Sequence, residues 1–189
     1  MALDPVVLFR EWFEEARAAG VEVPEAMTLA TADADGRPSA RMVLLKSADE
    51  DGFTFFTGYE SRKGRELAEN ARAALVFYWR ELGRQVRVEG PVRKLAAEES
   101  DAYWQTRPVR SRAAAAASHQ SEPIASREEL EAEFERQLAL GAPPRPERWG
   151  GYVLEPDAIE LWRHRDDRLH ERARYTRARG GWREELLAP

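Results

Sequence analysis

The amino-acid sequence predicts a mainly antiparallel β fold with helices appended. Turn dipeptides recur between β-prone runs. Asp35-Gly36, Asp51-Gly52 and Gly180-Gly181 each sit between such a pair, and these dipeptides suit two-residue hairpins, where φ must be positive. The apolar runs are short and rich in β-branched and aromatic residues, as in 53–57 (FTFFT) and 73–79 (AALVFYW), which favours strands over helices. Helical signals concentrate at 4–20 and in a block at about 97–140. Strands that follow one another as hairpins, without a helix between each pair, argue against an alternating parallel sheet. The length of 189 residues suits one domain spanning 1–189.

Asp4-Pro5 supplies an N-cap and a first-turn proline; Leu8, Trp12 and Ala16 follow at helical spacing, and Gly20 suits the stop. Residues 27–34 and 38–46 (PSARMVLLK) form a hairpin, and the near-continuous apolar run of the second strand predicts burial. A strand over 53–57, a helix over 60–70 and strands over 73–79 and 84–95 come next. Gly90-Pro91 marks a bulge or kink in the last of these. Residues 97–106 read as a helix closed by Pro108, and 110–118 contains five consecutive alanines, good helix formers. Ser126-Arg-Glu-Glu129 is a capping box opening a helix to about 140, and residues 141–146 are a linker. C-terminal strands span 151–162 and 172–187.

Composition narrows the chemistry. Lys and Arg number 29 against 34 Asp and Glu, a formal net charge of −5. An acidic body with clustered cations indicates local basic pockets and no nucleic-acid partner. The absence of cysteine excludes disulfides, thiolate catalysis and Cys-ligated metals. The three histidines, His119, His164 and His170, are too scattered for a convincing metal site. No dinucleotide fingerprint, P-loop, zinc-protease motif or nucleophile elbow occurs. The opening MALDPVVLFREWFEE lacks a basic n-region, and no stretch nears the roughly 18 apolar residues of a membrane span. A cytoplasmic protein without a membrane partner is therefore expected.

What remains is a set of anion-handling clusters. The densest is Arg168-Leu169-His170-Glu171-Arg172. On a strand, Arg168, His170 and Arg172 would share one face, able to hold an anion and orient a planar polar ring. A solvated strand edge is the other reading. Arg41 and Lys46 bracket an apolar strand. They would face opposite sides and serve two anions, or snorkel from the ends of a buried strand. Ser61-Arg62-Lys63-Gly64 opens a helix, where free amides and the dipole favour phosphate; two cations in that turn oppose the dipole, and a bound anion would compensate. Tyr103, Arg107 and Ser111 are spaced by four, a phosphate clamp if the helix continues through Pro108. Gln120-Ser121 reads as a polar loop, and Trp162 as core or as a ring platform. Separate anion sites with aromatic platforms suggest two phosphorylated planar molecules, with the chemistry residing in a cofactor.

These residues, in this order and spacing, resemble the pyridoxamine/pyridoxine 5′-phosphate oxidase family over nearly the whole chain. The resemblance is carried by RMVLLK at 41–46, FT at 56–57, SRKG at 61–64, RQVRVEG at 84–90, Tyr103 with RPVRS at 107–111, QS at 120–121, WGGY at 149–152, RLHER at 168–172 and the final LAP. It implies a split β-barrel that binds FMN at a homodimer interface. Arg41, Met42, Val43, Leu44, Leu45, Lys46, Phe56 and Thr57 would line the FMN, Arg62 and Lys63 would hold its phosphate region, and Gln85 would contact the flavin. Gln120 and Ser121 would reach FMN from the partner subunit, with Trp162 and Arg172 completing the site. The substrate phosphate would fall to Lys46, Tyr103, Arg107 and Ser111. Arg168 and His170 would meet the pyridine ring as the catalytic pair.

The implied reaction moves a hydride from the substrate's C4′ carbon to the flavin, with dioxygen as final acceptor and hydrogen peroxide as product. Three departures stand out. The chain starts almost directly at the first helix, where the family has a longer N-terminal arm. Residues 163–167 (RHRDD) replace a segment that usually carries glycine soon after the tryptophan, and 113–117 is all alanine where larger residues are common. Together these imply a looser substrate site. The alternatives are a related oxidase of a phenazine-like pathway, a non-catalytic flavin- or tetrapyrrole-binding split barrel, and a deazaflavin reductase.

Overall fold

The computed structural model describes residues 4–189. Helix α1 (Pro5–Ala18) begins where the Asp4 carboxylate accepts a hydrogen bond from the Val6 amide at 2.9 Å. It is followed by Gly20 at φ +75°, the left-handed conformation that ends helices cheaply only at glycine. Two hairpins follow, β1 (Ala26–Ala32) with β2 (Pro38–Leu44) and β3 (Ser47–Asp49) with β4 (Gly52–Gly58). Helix α2 (Arg62–Glu69) leads to a third hairpin, β5 (Arg72–Trp79) with β6 (Arg84–Lys94). Helices α3 (Ala97–Thr106), α4 (Val109–Ala117) and α5 (Arg127–Ala139) form the predicted insert. The chain closes with β7 (Trp149–Leu154), β8 (Ala158–Arg163), β9 (Glu171–Ala178) and β10 (Gly181–Leu186).

The strands curl into an antiparallel half-barrel. Their main order is β10-β9-β8-β6-β5-β1-β2, and β4 and β7 form a second path that returns to β6. Strand β6 serves both paths. Its residues 84–89 pair with β8 and 92–94 with β7, while its register against β5 runs unbroken through Gly90-Pro91. The predicted irregularity is thus a bend without an inserted residue. A Cβ at Gly90 would collide with the Glu155 carbonyl, so only glycine lets the second path pass this close.

Three expectations change here. Strand β3 was not foreseen. The segment 151–162 is two strands, because Glu155-Pro156-Asp157 interrupts the ladder and proline has no N–H to continue it. Strand β2 is not buried: Met42 is 62% and Leu44 42% exposed. It lies at the end of the sheet order with β1 as its partner, so its pleat puts Arg41 and Val43 inward and Met42 and Leu44 outward.

Helix α1 closes the core. Phe9, buried, meets Phe53 edge-on at 4.8 Å and lies 4.9 Å from Phe77. The inward residues of β1, β5 and β6, including Met27, Leu29, Leu75, Phe77, Val86 and Val88, complete the same core. Among the described residues no helix is long and apolar enough to cross a membrane.

Candidate functional site

The strongest electrostatic feature lies where α2 packs against β1 and β2. Ser61 caps α2, its hydroxyl accepting from the Gly64 amide at 3.3 Å. A Cβ at Gly64 would strike the carbonyls of Gly58 and Tyr59, so the SRKG glycine lets the first turn sit against that backbone. The turn carries Lys63 inward. Its Nζ donates to Thr57 Oγ1 at 2.9 Å, Ser61 Oγ at 3.1 Å and Gln120 Oε1 at 2.9 Å, and the residue is 5% exposed. Burial pushes its pKa down, the Arg41 charge adds to this, and Glu66 offsets only part, leaving it at about 8.

Glu66 is the anchor of the cluster. It accepts from Thr31 Oγ1 at 2.5 Å, Ser39 Oγ at 2.6 Å, Arg41 Nη2 at 3.2 Å and Arg62 Nε at 2.9 Å. Burial alone would raise its pKa, but the hydrogen bonds from Ser39, Thr31, Arg62 and Arg41 outweigh that and hold it at about 2. The Arg41 guanidinium also donates to Leu29 O at 3.2 Å and to Thr31 Oγ1 at 2.5 Å. Sequence reasoning singled out the cations and missed Glu66, Thr31 and Ser39. One signal was available, since Glu66 follows Arg62 at the i,i+4 spacing of a helical ion pair. That pair, and not a bound anion alone, compensates the positive first turn.

This cluster forms one side of a cavity of about 720 Å³. Of the predicted residues, Arg41, Met42, Val43, Leu44, Lys46, Phe56, Thr57, Arg62, Lys63, Tyr103, Arg107, Ser111, Gln120 and Ser121 all line it. Arg41 and Lys46 therefore share one cavity and do not serve opposite faces, because β2 ends at Leu44 and the strand alternation stops before Lys46. Leu45 does not line it; the side chain is buried in the core. The helix does not continue through Pro108 either. Helix α3 ends at Thr106, Arg107 is extended at ψ 143°, and α4 restarts at Val109, since the residue before proline is driven out of the helical region. Tyr103, Arg107 and Ser111 still converge, from two helices instead of one. Tyr103 stacks on Phe56 at 3.8 Å, and Arg107 Nη2 donates to Ser111 O at 3.0 Å. Arg107 Nε is buried without a hydrogen-bond partner, a donor in search of an acceptor. An adjoining cavity of about 470 Å³ shares Phe56, Arg107 and Ser111 and is lined by Ala114 and Ala115 of the alanine run.

The remaining candidates lie elsewhere. Gln85 pairs across strands with Trp162, and Trp162 with Arg172, in a row on the outward face of the sheet. From β2 to β8 the sheet order takes four steps, roughly 19 Å at about 4.8 Å per step. Arg172 is tied to the buried Glu160, Nε to Oε1 at 2.8 Å, and to Ala188 O at 2.9 Å. Arg168 and His170 are not on a strand. Strand β9 begins at Glu171, and Arg168 sits in a turn at φ +66°, so the shared face expected for 168, 170 and 172 does not form. Within the same chain Gln120 accepts from Lys63 Nζ, and Gln120 and Ser121 line the cavity. Among the described residues no group of three or more His, Cys, Asp or Glu could hold a metal ion.

Comparison with known proteins identifies the family. Residues 13–140 match the family described as pyridoxamine 5′-phosphate oxidase, and residues 149–189 match the pyridoxine 5′-phosphate oxidase C-terminal dimerisation region. The pyridoxine/pyridoxamine 5′-phosphate oxidase of Pseudomonas paraeruginosa is 56% identical, covering 98% of this chain and 89% of that relative. The protein of the same name from Rubrobacter xylanophilus is also 56% identical, covering 98% and 87%. Among solved structures, PhzG of Burkholderia lata in complex with tetrahydrophenazine-1-carboxylic acid superposes with a TM-score of 0.96 at 43% identity, covering 98% of this chain and 93% of PhzG. An FMN-binding protein from Nostoc punctiforme, with a TM-score of 0.80 at 20% identity over the full length of both chains, shares the fold. The chain belongs to the pyridoxine/pyridoxamine 5′-phosphate oxidase family.

Proposed function

We propose that this protein is an FMN-dependent oxidase that converts pyridoxamine 5′-phosphate or pyridoxine 5′-phosphate to pyridoxal 5′-phosphate, reducing dioxygen to hydrogen peroxide. The observation that carries the reading is one cavity lined by two clusters of cationic donors, one around Lys63 and one around Arg107. Two phosphorylated planar molecules side by side require that combination. The residues fit FMN: the cradle offers buried charge-assisted donors of the kind a phosphate takes, and the partnerless Nε of Arg107 suits a second phosphate.

In this reading Arg41, Arg62, Lys63, Gln120 and Ser121 hold the flavin phosphate, and Met42 to Leu44, Phe56 and Thr57 line the flavin. Lys46, Tyr103, Arg107 and Ser111 hold the substrate phosphate. FMN, when bound, supplies the two-electron acceptor that the protein's own side chains lack. The chain's contribution is placement. Arg107 and Ser111 fix one end of the substrate, the Phe56–Tyr103 stack excludes water beside it, and Arg168 and His170 address the pyridine ring. The amine substrate gives an imine that water hydrolyses to aldehyde and ammonia, whereas the alcohol gives the aldehyde directly.

We infer that the assembly is a homodimer with FMN at the interface. Gln85, Trp162 and Arg172 share the outward face that also exposes Met42, Leu44 and Tyr78. A second copy laid on this face would bring its own row to the first copy's cavity. The similarity to PhzG favours a second reading, an oxidase of a phenazine-like precursor. The phosphate-type clamp of Lys46, Arg107 and Ser111 supports the pyridine phosphate instead.

The test is aerobic turnover of the FMN-loaded protein with each pyridine phosphate, following aldehyde and peroxide together. Stoichiometric aldehyde and peroxide from either substrate is the expected result. An FMN-loaded protein inactive on both, yet active on a reduced phenazine carboxylate, would replace this reading with the second.

A further inference from the structure

The segment joining β8 to β9 is folded around the ring of His170. His164 begins it, its amide donating to Gly83 O at 2.7 Å. Arg165 follows, and its backbone N–H donates to His170 Nδ1 at 3.1 Å. The same residue ties the loop shut through its side chain. Arg165 Nη2 reaches Asp167 Oδ2 at 2.7 Å, and Nη1 reaches Glu171 Oε1 at 3.3 Å. Asp167 Oδ1 in turn accepts from the Leu169 amide at 3.0 Å, and the Arg168 amide donates to Arg165 O at 3.2 Å. The His170 ring packs in a cluster of three rings, with Trp162 at 4.7 Å, His164 at 5.1 Å and those two 6.1 Å from each other between centroids.

A backbone N–H can only donate. The nitrogen it faces must offer a lone pair, and a neutral imidazole has one N–H and one lone pair. With Nδ1 as acceptor, the ring proton resides on Nε2. Turning the ring over would set a carbon against the Arg165 amide, so the same bond fixes orientation and tautomer together. Such a partner on one ring nitrogen decides what the other can do.

We propose that the 164–170 loop locks His170 as the Nε2–H tautomer, so that His170 serves the reaction as a hydrogen-bond donor and not as a proton acceptor, with His164 and the Arg165 amide as its positioning elements. The identity of the acceptor, an oxygen or nitrogen lone pair on the bound pyridine phosphate, rests on the function proposed above; the tautomer does not. His164 and Arg165 occupy the segment where glycine was expected soon after the tryptophan. The ring flank on His170 is thus supplied by this chain's own departure from the family pattern.

The tautomer is read directly by nitrogen-15 NMR of the FMN-loaded protein labelled at histidine, at a pH where the ring is neutral. The chain has three histidines, so His119→Gln and His164→Gln variants assign the signals. His170 should show a bare Nδ1 and a protonated Nε2. A proton on Nδ1, or an averaged mixture of the two tautomers, overturns the proposal whatever the turnover. The role is read by substitution. His170→Ala should lower kcat roughly tenfold, the scale of one lost hydrogen bond. His170→Gln, whose amide N–H can stand where Nε2–H stood, should recover most of that loss. An equal loss of about 100-fold or more in both variants is the signature of a missing proton acceptor and overturns the donor role. A locked tautomer in a protein that oxidises neither pyridine phosphate would count against the proposed substrate and leave the lock standing.

Discussion

The two groups of candidate residues are built in opposite ways. The cradle around Lys63 and Glu66 sits on a helix and neighbouring strands; both residues are buried, Glu66 held by Thr31, Ser39 and Arg41 and Lys63 by Thr57. The group around Trp162 and His170 lies on the outward sheet face and a loop, with Arg168 and Leu169 exposed. One is bonded together within a single chain; the other lies on the outward face of the sheet and an exposed loop. Anchoring a phosphate calls for charges fixed beforehand in a poorly solvated site, where they are worth most. Groups that address a reacting ring have to remain open to it.

That contrast can be broken by substitution, starting with the largest effect. Glu66→Gln should destabilise the protein at neutral pH by on the order of 3 kcal/mol, since a carboxyl held at about 2 instead of 4.5 stabilises the fold by that much. The stabilisation is fully present above the unfolded value and lost as pH falls from about 4.5 toward 2. Thermal melts across that window should converge for wild type and variant; parallel curves would show that Glu66 is not the anchor. Next, Lys63→Met should weaken FMN binding roughly 100-fold, as loss of a charge-assisted hydrogen bond does, and leave riboflavin binding nearly unchanged in a fluorescence titration. Equal losses for both ligands would move the phosphate elsewhere.

Arg107→Ala should raise the substrate KM by roughly 30-fold, again the scale of a charged hydrogen bond, with the FMN Kd little altered. A matched loss of both would merge the two anion sites into one. The pH dependence is gentler. Lys63 must be charged to hold phosphate and titrates at about 8 without a ligand. FMN affinity should therefore decline above that pH, by at most about tenfold per unit, and Lys63→Arg should flatten the slope. The smallest effect belongs to the other group. Arg168→Ala should change stability by no more than about 0.5 kcal/mol, as exposed positions do, while lowering kcat. A large drop in Tm would mean that the loop is structural after all.

Most of the fold was legible because hairpin turns and short apolar runs are local signals. Asp51-Gly52 and Gly180-Gly181 mark turns in the structure as they do in the sequence. What escaped was set by tertiary position. The apolar run of β2 looks like a central strand, and nothing in 38–46 says that it lies at the end of the sheet order. The cations of the site were legible by their clustering, whereas Glu66 carries only its i,i+4 spacing to Arg62 as a mark until Arg41 and Ser39 are brought to it from β2. The contact of Gln120 was out of reach for the same reason. Gln120 joins Lys63 across 57 positions in one chain, a distance that no spacing rule reaches.

The cradle also carries a valence. Arg41, Arg62 and Lys63 surround one carboxylate, Glu66, which leaves two positive charges unspent. A phosphate monoester carries about −1.5 to −2 at neutral pH and brings the cluster close to electroneutrality. A phosphodiester brings a single negative charge and would leave one positive charge of the cluster uncompensated. The Glu66 carboxylate therefore acts as a counterweight to the cations around it. In the proposed reading it suits the cluster to a doubly charged phosphate monoester over a singly charged phosphodiester.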